Sequence, residues 1–475
     1  MQMIGFHFFL LSAVVFLCLR MIIFFVKEHK RRRFIEKIIL LSTSYLFIAY
    51  ADWRFALILA FVSFITYYTA HKQRYSIGIV VSLIALAFFK YTNFFYSSFA
   101  NLIGYDYTFL NIILPLGISF YTFSAISYIM DVKNGKQEVR SILDVMVYLS
   151  FFPKLTSGPI QKSGDFFRQL DAEREVGWNS FSIGVQIFVF GMFKKIVLAD
   201  RLSIFVDQVY ETPKAFGSAT VLLAAIAYSL QIYFDFSGYS DMAIGTAKTF
   251  GFDLPRNFNL PYLSHNVTEL WKRWHISLSS WLQEYLYFSL GGNRKGTVRT
   301  YMNLILTMLL GGIWHGANWT YIVWGLMHGV ALAVHKAWME LTRSSERKYG
   351  WFANAFSIII TFIFTTFCWI FFRADSIRHA IEIIVRIFSF DNGLQQPYFW
   401  LFIAVIILMA CSLLASFKTN KTYVSQKRNN VSRVEGYYPI FDLASFWGQV
   451  AFFVLCGLTL CLAYTGGSPF IYGRY

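Results

Sequence analysis

Residues 3–33 read MIGFHFFLLSAVVFLCLRMIIFFVKEHKRRR, an almost unbroken apolar run to Val26 followed by a basic cluster. About 20 apolar residues in a helix cross the hydrocarbon of a bilayer, so the stretch predicts a transmembrane helix. Its cluster (Lys27, Lys30, Arg31, Arg32, Arg33 and Lys37) follows the run instead of preceding it, and no small-x-small cleavage pattern is present, which argues against a signal peptide. The positive-inside bias puts the cluster in the cytoplasm and the N-terminus outside. Composition extends this reading to the whole chain. Of 475 residues, 56% are hydrophobic and 14% charged, whereas a soluble domain carries about 25% charges, so an ordinary soluble enzyme is excluded. At about 20 apolar residues per crossing, the chain holds at most roughly 13 spans.

Further spans are expected near Ile38–Tyr50, Phe55–Ala70, Ile77–Ser98 and Phe109–Met130. Basic loops (Lys72 and Arg74; Lys133, Lys136 and Arg140) alternate with loops around Asp52 and Asp106. Leu143–Phe152 is too short to cross and ends at Pro153, so it reads as re-entrant or interfacial. Later spans are expected near Phe181–Leu198, Thr220–Phe234, Tyr301–Ile313, Trp319–Val334, Phe356–Phe372, Tyr398–Leu414 and Phe446–Leu462. The basic excess between Gly251 and Thr300, and between Lys418 and Arg433, favours the cytoplasmic side. The net charge of +16 is therefore a topology code of the bilayer-bound chain and not a nucleic-acid surface. Five cysteines lie in apolar segments without a C-x-x-C pair, and neither H-E-x-x-H nor H-x-H occurs, so no disulfide framework and no metal site is expected. With no repeat and no appended soluble module, residues 1–475 read as a single helical membrane domain.

Ionisable groups inside apolar segments are functional candidates, because lipid penalises them. They concentrate between Tyr233 and Asn318. Asp235 and Asp241 interrupt an apolar segment and could line a cavity or orient a base, with Gly238 as a possible helix break; alternatively each caps a broken helix end or pairs with a buried Arg. Asn266 and Glu269 form a capping box for an amphipathic helix, Asn266–Phe288, whose stripe (Leu263, Val267, Leu270, Trp274, Leu278, Trp281, Tyr285) should lie along the membrane surface. His275 borders that stripe, as either an inward functional group or an interfacial neighbour of tryptophans. LGGNRKG (Leu290–Gly296) could present backbone N–H groups with Asn293, Arg294 and Lys295 to a phosphate, or be a plain positive-inside loop. In GGIWHGANW (Gly311–Trp319), His315 follows an apolar run beside Trp314 and two glycines. A desolvated imidazole stays neutral near pH 7 and can take a proton from a hydroxyl, and Asn318 could orient it or hold an oxyanion. A packed structural histidine is the competing reading, and His328 and His335 are assigned to packing or the membrane boundary.

FDFSGYSDMAIG (234–245), NFNLPYL (257–263), ELWKRWHISLSSWL (269–282), YFSLGGNRKG (287–296) and LLGGIWHGANW (309–319) resemble the core of the membrane-bound O-acyltransferase family. FFPKLTSGPIQ (151–161) and WIFFRAD (369–375) extend the likeness over residues 145–375, leaving N-terminal helices in 1–140 and C-terminal helices in 376–475. The chain ends PFIYGRY (469–475), where relatives often end PFIYFQF. The resemblance implies an all-α polytopic bundle of about 11 transmembrane helices, with interfacial and re-entrant pieces, around a funnel or tunnel. It puts His315 at the family's essential histidine and His275 at a second recurrent one on the cytoplasmic side. It further implies an O-acetyltransferase of the bacterial inner membrane that passes acetyl from cytoplasmic acetyl-CoA toward an extracytoplasmic polysaccharide such as alginate. A periplasmic SGNH-type partner would complete the transfer, and no bound cofactor is implied. Lys272, Arg273, Arg294 and Lys295 would then form a basic surface that attracts the anionic donor. A peptidoglycan O-acetyltransferase subunit, a teichoic-acid D-alanyl transferase and a solute or proton transporter are the other readings.

Overall fold

The computed structural model describes residues 3–106, 108–174, 176–342, 350–395, 398, 441–443 and 445–463. Among them every regular element is helical, apart from an isolated parallel bridge between Phe216 and Leu394. Seven helices are long and apolar enough to cross a membrane: Phe6–Phe25 (α1), His29–Ala51 (α2), Trp53–His71 (α3), Tyr75–Ile103 (α4), Trp178–Glu211, Ser218–Thr249 and Trp351–Arg373. They expose large apolar side chains such as Phe24, Phe95, Leu102 and Phe356, which in a multi-pass chain face lipid. Phe446–Leu462 forms a shorter apolar helix at its expected place. The expected span Tyr398–Leu414, the basic loop Lys418–Arg433 and the tail Pro469–Tyr475 lie outside the described residues, apart from Tyr398 itself.

The contacts divide the chain into two compact units, Met1–Phe188 with Ser240–Pro255, and Val189–Tyr239 with Arg256–Tyr475. In the first, α3 packs on Ile118–Lys133 (α5) and Ile142–Ser150 (α6). The segment expected to span from Phe109 is helical only from Ile118, because Pro115 biases its predecessor toward extended backbone and Gly117 has φ 75°. The apolar piece ending at Phe152 is a nine-residue buried helix, too short to cross, as expected, followed by a single turn, Phe152–Leu155 (α7), and by Ser163–Asp171 (α8). Lys37 binds Asp144 (2.6 Å), while Arg140 (2.5 Å) and the Arg33 guanidinium (2.7 Å, to the backbone carbonyl) both reach Asp171. Asp171 thereby joins the basic start of α2 to the basic loop before α6.

Helix α9 (Trp178–Phe193) begins in the first unit and continues through a π turn, Lys194–Ala199, into α10 (Asp200–Glu211) of the second. Helix α11, Ser218–Thr249, is continuous, so Gly238 is no break. A Cβ there would lie 2.7 Å from the Gly191 carbonyl oxygen, and the glycine instead permits close helix approach. The expected helix Asn266–Phe288 does break, into α12 (Val267–Arg273), α13 (Ile276–Trp281) and a π turn, Leu282–Tyr287. Its apolar stripe is nevertheless turned inward: Leu270, Trp274, Leu278, Trp281 and Tyr285 are all buried. Helices α14 (Thr297–His315) and α15 (Trp319–Thr342) form the most closely packed pair. A Cβ on Gly325 would meet the Met308 carbonyl oxygen at 2.5 Å, and one on Gly312 the Tyr321 carbonyl oxygen at 2.3 Å. Backbone touches backbone there, so a side chain must push the helices apart, at roughly 1–3 kcal/mol. Purified Gly325→Leu is accordingly expected to melt several degrees below Gly457→Leu, whose new side chain meets nothing within 4 Å. Equal melting temperatures in the same detergent would contradict this account of the α14–α15 pair.

Candidate active site

Asn257 builds the first part of the site. Its Oδ1 accepts hydrogen bonds from the Ser277 backbone N–H (3.2 Å) and the Ser277 hydroxyl (2.6 Å), and it lies 3.2 Å from His275 Nδ1. The Asn257 backbone carbonyl accepts the N–H of Ile276 at 2.9 Å. These bonds hold His275 at φ 42° and ψ 55°, a left-handed conformation that costs a non-glycine residue on the order of 1 kcal/mol. That conformation ends α12 and starts α13. A backbone N–H points at the Asn257 side-chain atom, which identifies it as the oxygen, and His275 Nδ1 must therefore donate to it. Nε2 then carries the lone pair, and among the described residues it has no hydrogen-bond partner. Burial pushes the His275 pKa down from 6.5 to about 3, so at pH 7 the ring is a neutral acceptor.

Phe236 packs edge-on against His275 at 4.5 Å between ring centroids, and Trp314 stands 6.5 Å away. From Trp314 a row of rings continues. His315, 4% exposed at the C-terminus of α14, lies 4.9 Å from Trp314 and 4.9 Å from Trp324. Trp324 lies 5.0 Å from His328, whose Nδ1 accepts the Trp271 indole N–H at 3.4 Å. Three buried imidazoles thus alternate with indoles, and Phe372 (5.2 Å from His315) helps close the row against water.

Trp314 stands between His275 and His315, at 6.5 and 4.9 Å between ring centroids, and Trp274 lies in the same core, packed on Trp369 and Tyr262. Asn318 has another task. Its amide donates to the Asp375 carbonyl (2.8 Å) and accepts the Thr320 N–H (3.0 Å), which fixes the start of α15. Asp235 is buried in an ion pair with Lys195 (2.5 Å), which also binds Asp200 (2.7 Å); a lysine takes the place of the expected buried arginine. Asp241 is half-buried. Asn293, Arg294 and Lys295 are exposed, as is Lys272, while Arg273 pairs with Glu269 at 2.7 Å. The capping box is formed, with Asn266 Oδ1 accepting the Glu269 N–H at 2.8 Å. Among the described residues no cluster of His, Cys, Asp and Glu could hold a metal ion. Sequence reading gave no role to Asn257, quoted only within a motif, while His328, assigned to packing or the membrane boundary, is buried among Trp271, Trp324 and Phe364.

The profile of the membrane-bound O-acyltransferase family matches residues 5–374. Similar proteins include the probable alginate O-acetylase AlgI of Pseudomonas aeruginosa, 40% identical over 400 residues, covering 80% of this chain and 75% of that protein. The peptidoglycan O-acetyltransferase of Helicobacter pylori is 37% identical over 343 residues, 66% of this chain and 64% of that one. The teichoic acid D-alanyltransferase of Bacillus subtilis is 28% identical over 293 residues, 57% of this chain and 71% of that protein.

The depressed His275 pKa has a thermodynamic consequence. Between about 3 and 6.5 the unfolded chain binds a proton at this position that the folded chain does not. The neutral ring's contribution is therefore complete above pH 6.5 and is lost as the pH falls toward 3, at up to about 1.4 kcal/mol per unit. His275→Asn tolerates the left-handed backbone and does not titrate. Melting curves from pH 7 to 4 should fall less steeply for this variant than for the wild type, and parallel slopes would show that His275 is not the buried neutral group described.

Proposed function

The chain belongs to the membrane-bound O-acyltransferase family, and from that premise we propose that it passes acetyl from cytoplasmic acetyl-CoA across the membrane to an acceptor hydroxyl, for O-acetylation of an extracytoplasmic polysaccharide, with His315 as general base. The observation that carries the base assignment is the burial of His315 at the closed end of α14, between two indoles and away from bulk water. In the proposed reaction His315 removes the proton of an acceptor hydroxyl as its oxygen attacks the thioester carbonyl. The tetrahedral intermediate collapses with loss of the CoA thiolate, which takes up that proton. His275 lies on the donor side, its open Nε2 lone pair able to accept a hydrogen bond from the pantetheine arm or the free thiol. Lys272, Arg294 and Lys295, exposed and cationic, favour approach of the CoA phosphates by long-range attraction.

Alginate or a related acidic polysaccharide is the acceptor class most in keeping with the 40% identical relatives, and a periplasmic SGNH-type acetyltransferase would hand the group on to the polymer. The inner membrane, with the N-terminus outside, is the corresponding location. Residues 1–475 would act as one catalytic membrane domain. Peptidoglycan is the second reading, favoured by the 37% identical relative.

Loss of a general base costs about 10²–10⁴-fold in rate. His315→Ala expressed in place of the wild-type chain should therefore abolish ester-linked acetate on the polymer while the protein still accumulates in the membrane as a folded species. Assay of alkali-labile acetate on each isolated polymer, beside a membrane immunoblot, checks this and identifies the acceptor. Acetate at the wild-type level in the variant would refute the base assignment.

A further inference from the structure

His328 and Trp324 offer something the base mechanism leaves unused. They stand one turn apart on α15, separated by about 6 Å along the helix axis, and each is 1% exposed. The Trp271 indole N–H donates to His328 Nδ1, so protonation of that nitrogen would set two N–H groups against each other. The ring is thereby held as the neutral tautomer with its hydrogen on Nε2. Among the described residues neither His328 Nε2 nor Trp324 Nε1 has a hydrogen-bond partner. A buried N–H left unmade is costly, and here two occur on adjacent turns of one helix, beside the imidazole of His315. Both are donors, so what they lack is an acceptor oxygen.

We infer that Trp324 Nε1–H and His328 Nε2–H receive the carbonyl oxygen of the acyl donor as it becomes an oxyanion. This rests on the reading of His315 as base. When the acceptor oxygen bonds to the thioester carbon, the carbonyl π pair moves onto oxygen, where the two N–H groups meet it. As the C–S bond breaks, that pair returns, the thiolate leaves, and the proton held by His315 passes to sulfur. In such a step base to hydroxyl oxygen and oxyanion to donor are each about 3 Å, with the carbonyl carbon between. Trp324 adjoins His315 at 4.9 Å between ring centroids and His328 adjoins Trp324 at 5.0 Å, so both donors belong to the two rings that follow the base. His275 and His328 then play opposite parts, one neutral imidazole presenting a lone pair and the other an N–H.

The test compares His328→Leu, His328→Gln, Trp324→Phe and His315→Ala in permeabilised cells, reading initial rates of label transfer from labelled acetyl-CoA to the endogenous polymer across donor concentrations. Oxyanion donors are typically worth about 10²–10³-fold in kcat. His328→Leu should lose activity on that scale with KM little changed, and Trp324→Phe, which keeps the packing, should lose kcat as well. His328→Gln can accept from Trp271 and still donate, so it should recover much of the rate. The inference is overturned if His328→Leu keeps kcat within about twofold of wild type, if the loss falls on KM alone, or if Gln and Leu are equally inactive at equal folded protein. Should His328→Leu not fold, Trp324→Phe and His328→Gln decide the matter by the same criteria. Wild-type rates in His315→Ala would instead refute the base reading, an outcome separable from any loss seen at His328.

Discussion

Withdrawing an imidazole from water disfavours its cation, and an apolar core can hold several histidines only if each is kept neutral by what surrounds it. In this protein the neutral form is also fixed in tautomer. Asn257 Oδ1 lies against His275 Nδ1, and the Trp271 indole N–H points at His328 Nδ1. Much of the surrounding architecture follows from that requirement. The chain must break its helix at Trp274 to present His275 to Asn257, and α14 and α15 must pack backbone to backbone to bring Trp324 against His315. The aromatic content of the core serves the same end, because indole and phenyl rings exclude water without supplying charges that would shift an imidazole.

The buried ionic group of the same unit obeys different rules. Lys195 is clamped by Asp200 and Asp235 beside the π turn that joins α9 to α10. A buried charge is tolerable only when paired, and removal of one partner is far more damaging than the pair is stabilising. Asp235 is thus tied into fixing this turn against α11, with Gly238 one turn later letting the helices close. Polar groups in the apolar runs therefore divide by charge: the paired ions secure helix packing, and the neutral imidazoles line the candidate site.

Spans were legible where local sequence governs structure. Apolar runs and basic clusters located α1 to α4 and Phe446–Leu462 to within a few residues at most of their ends. Motif strings singled out His315, Trp314 and His275, which the fold sets in one row of rings. What could not be read came from contacts distant in sequence. Nothing between Asn266 and Phe288 is a glycine or proline, so periodicity alone gives one helix; the break is imposed by Asn257, 18 residues before His275. Gly238 presents the reverse case, a residue that reads as a helix breaker but whose value lies in a neighbouring backbone. Asn318 looked chemical because it adjoins His315, yet both ends of its amide are used in capping. The hydrogen bond that fixes the His328 ring comes from Trp271, 57 residues earlier, and has no local sign in the sequence.

Alternation of imidazole and indole also constrains how protons can move in the proposed reaction. An indole nitrogen donates a hydrogen bond but has no lone pair with which to accept a proton. Trp314 and Trp324 therefore interrupt any relay along the row, and His275, His315 and His328 cannot exchange protons through them. The row is a set of separate fixed groups, not a wire. In that reaction the proton taken from the acceptor hydroxyl would leave His315 for the sulfur of the departing thiol and not along the row. Acceptor oxygen and thioester sulfur must then both come within hydrogen-bond reach of this one ring, about 3 Å in each case. A base shared between attack and departure places the scissile bond beside His315 and leaves the flanking histidines to orient it, one through a lone pair and the other through an N–H.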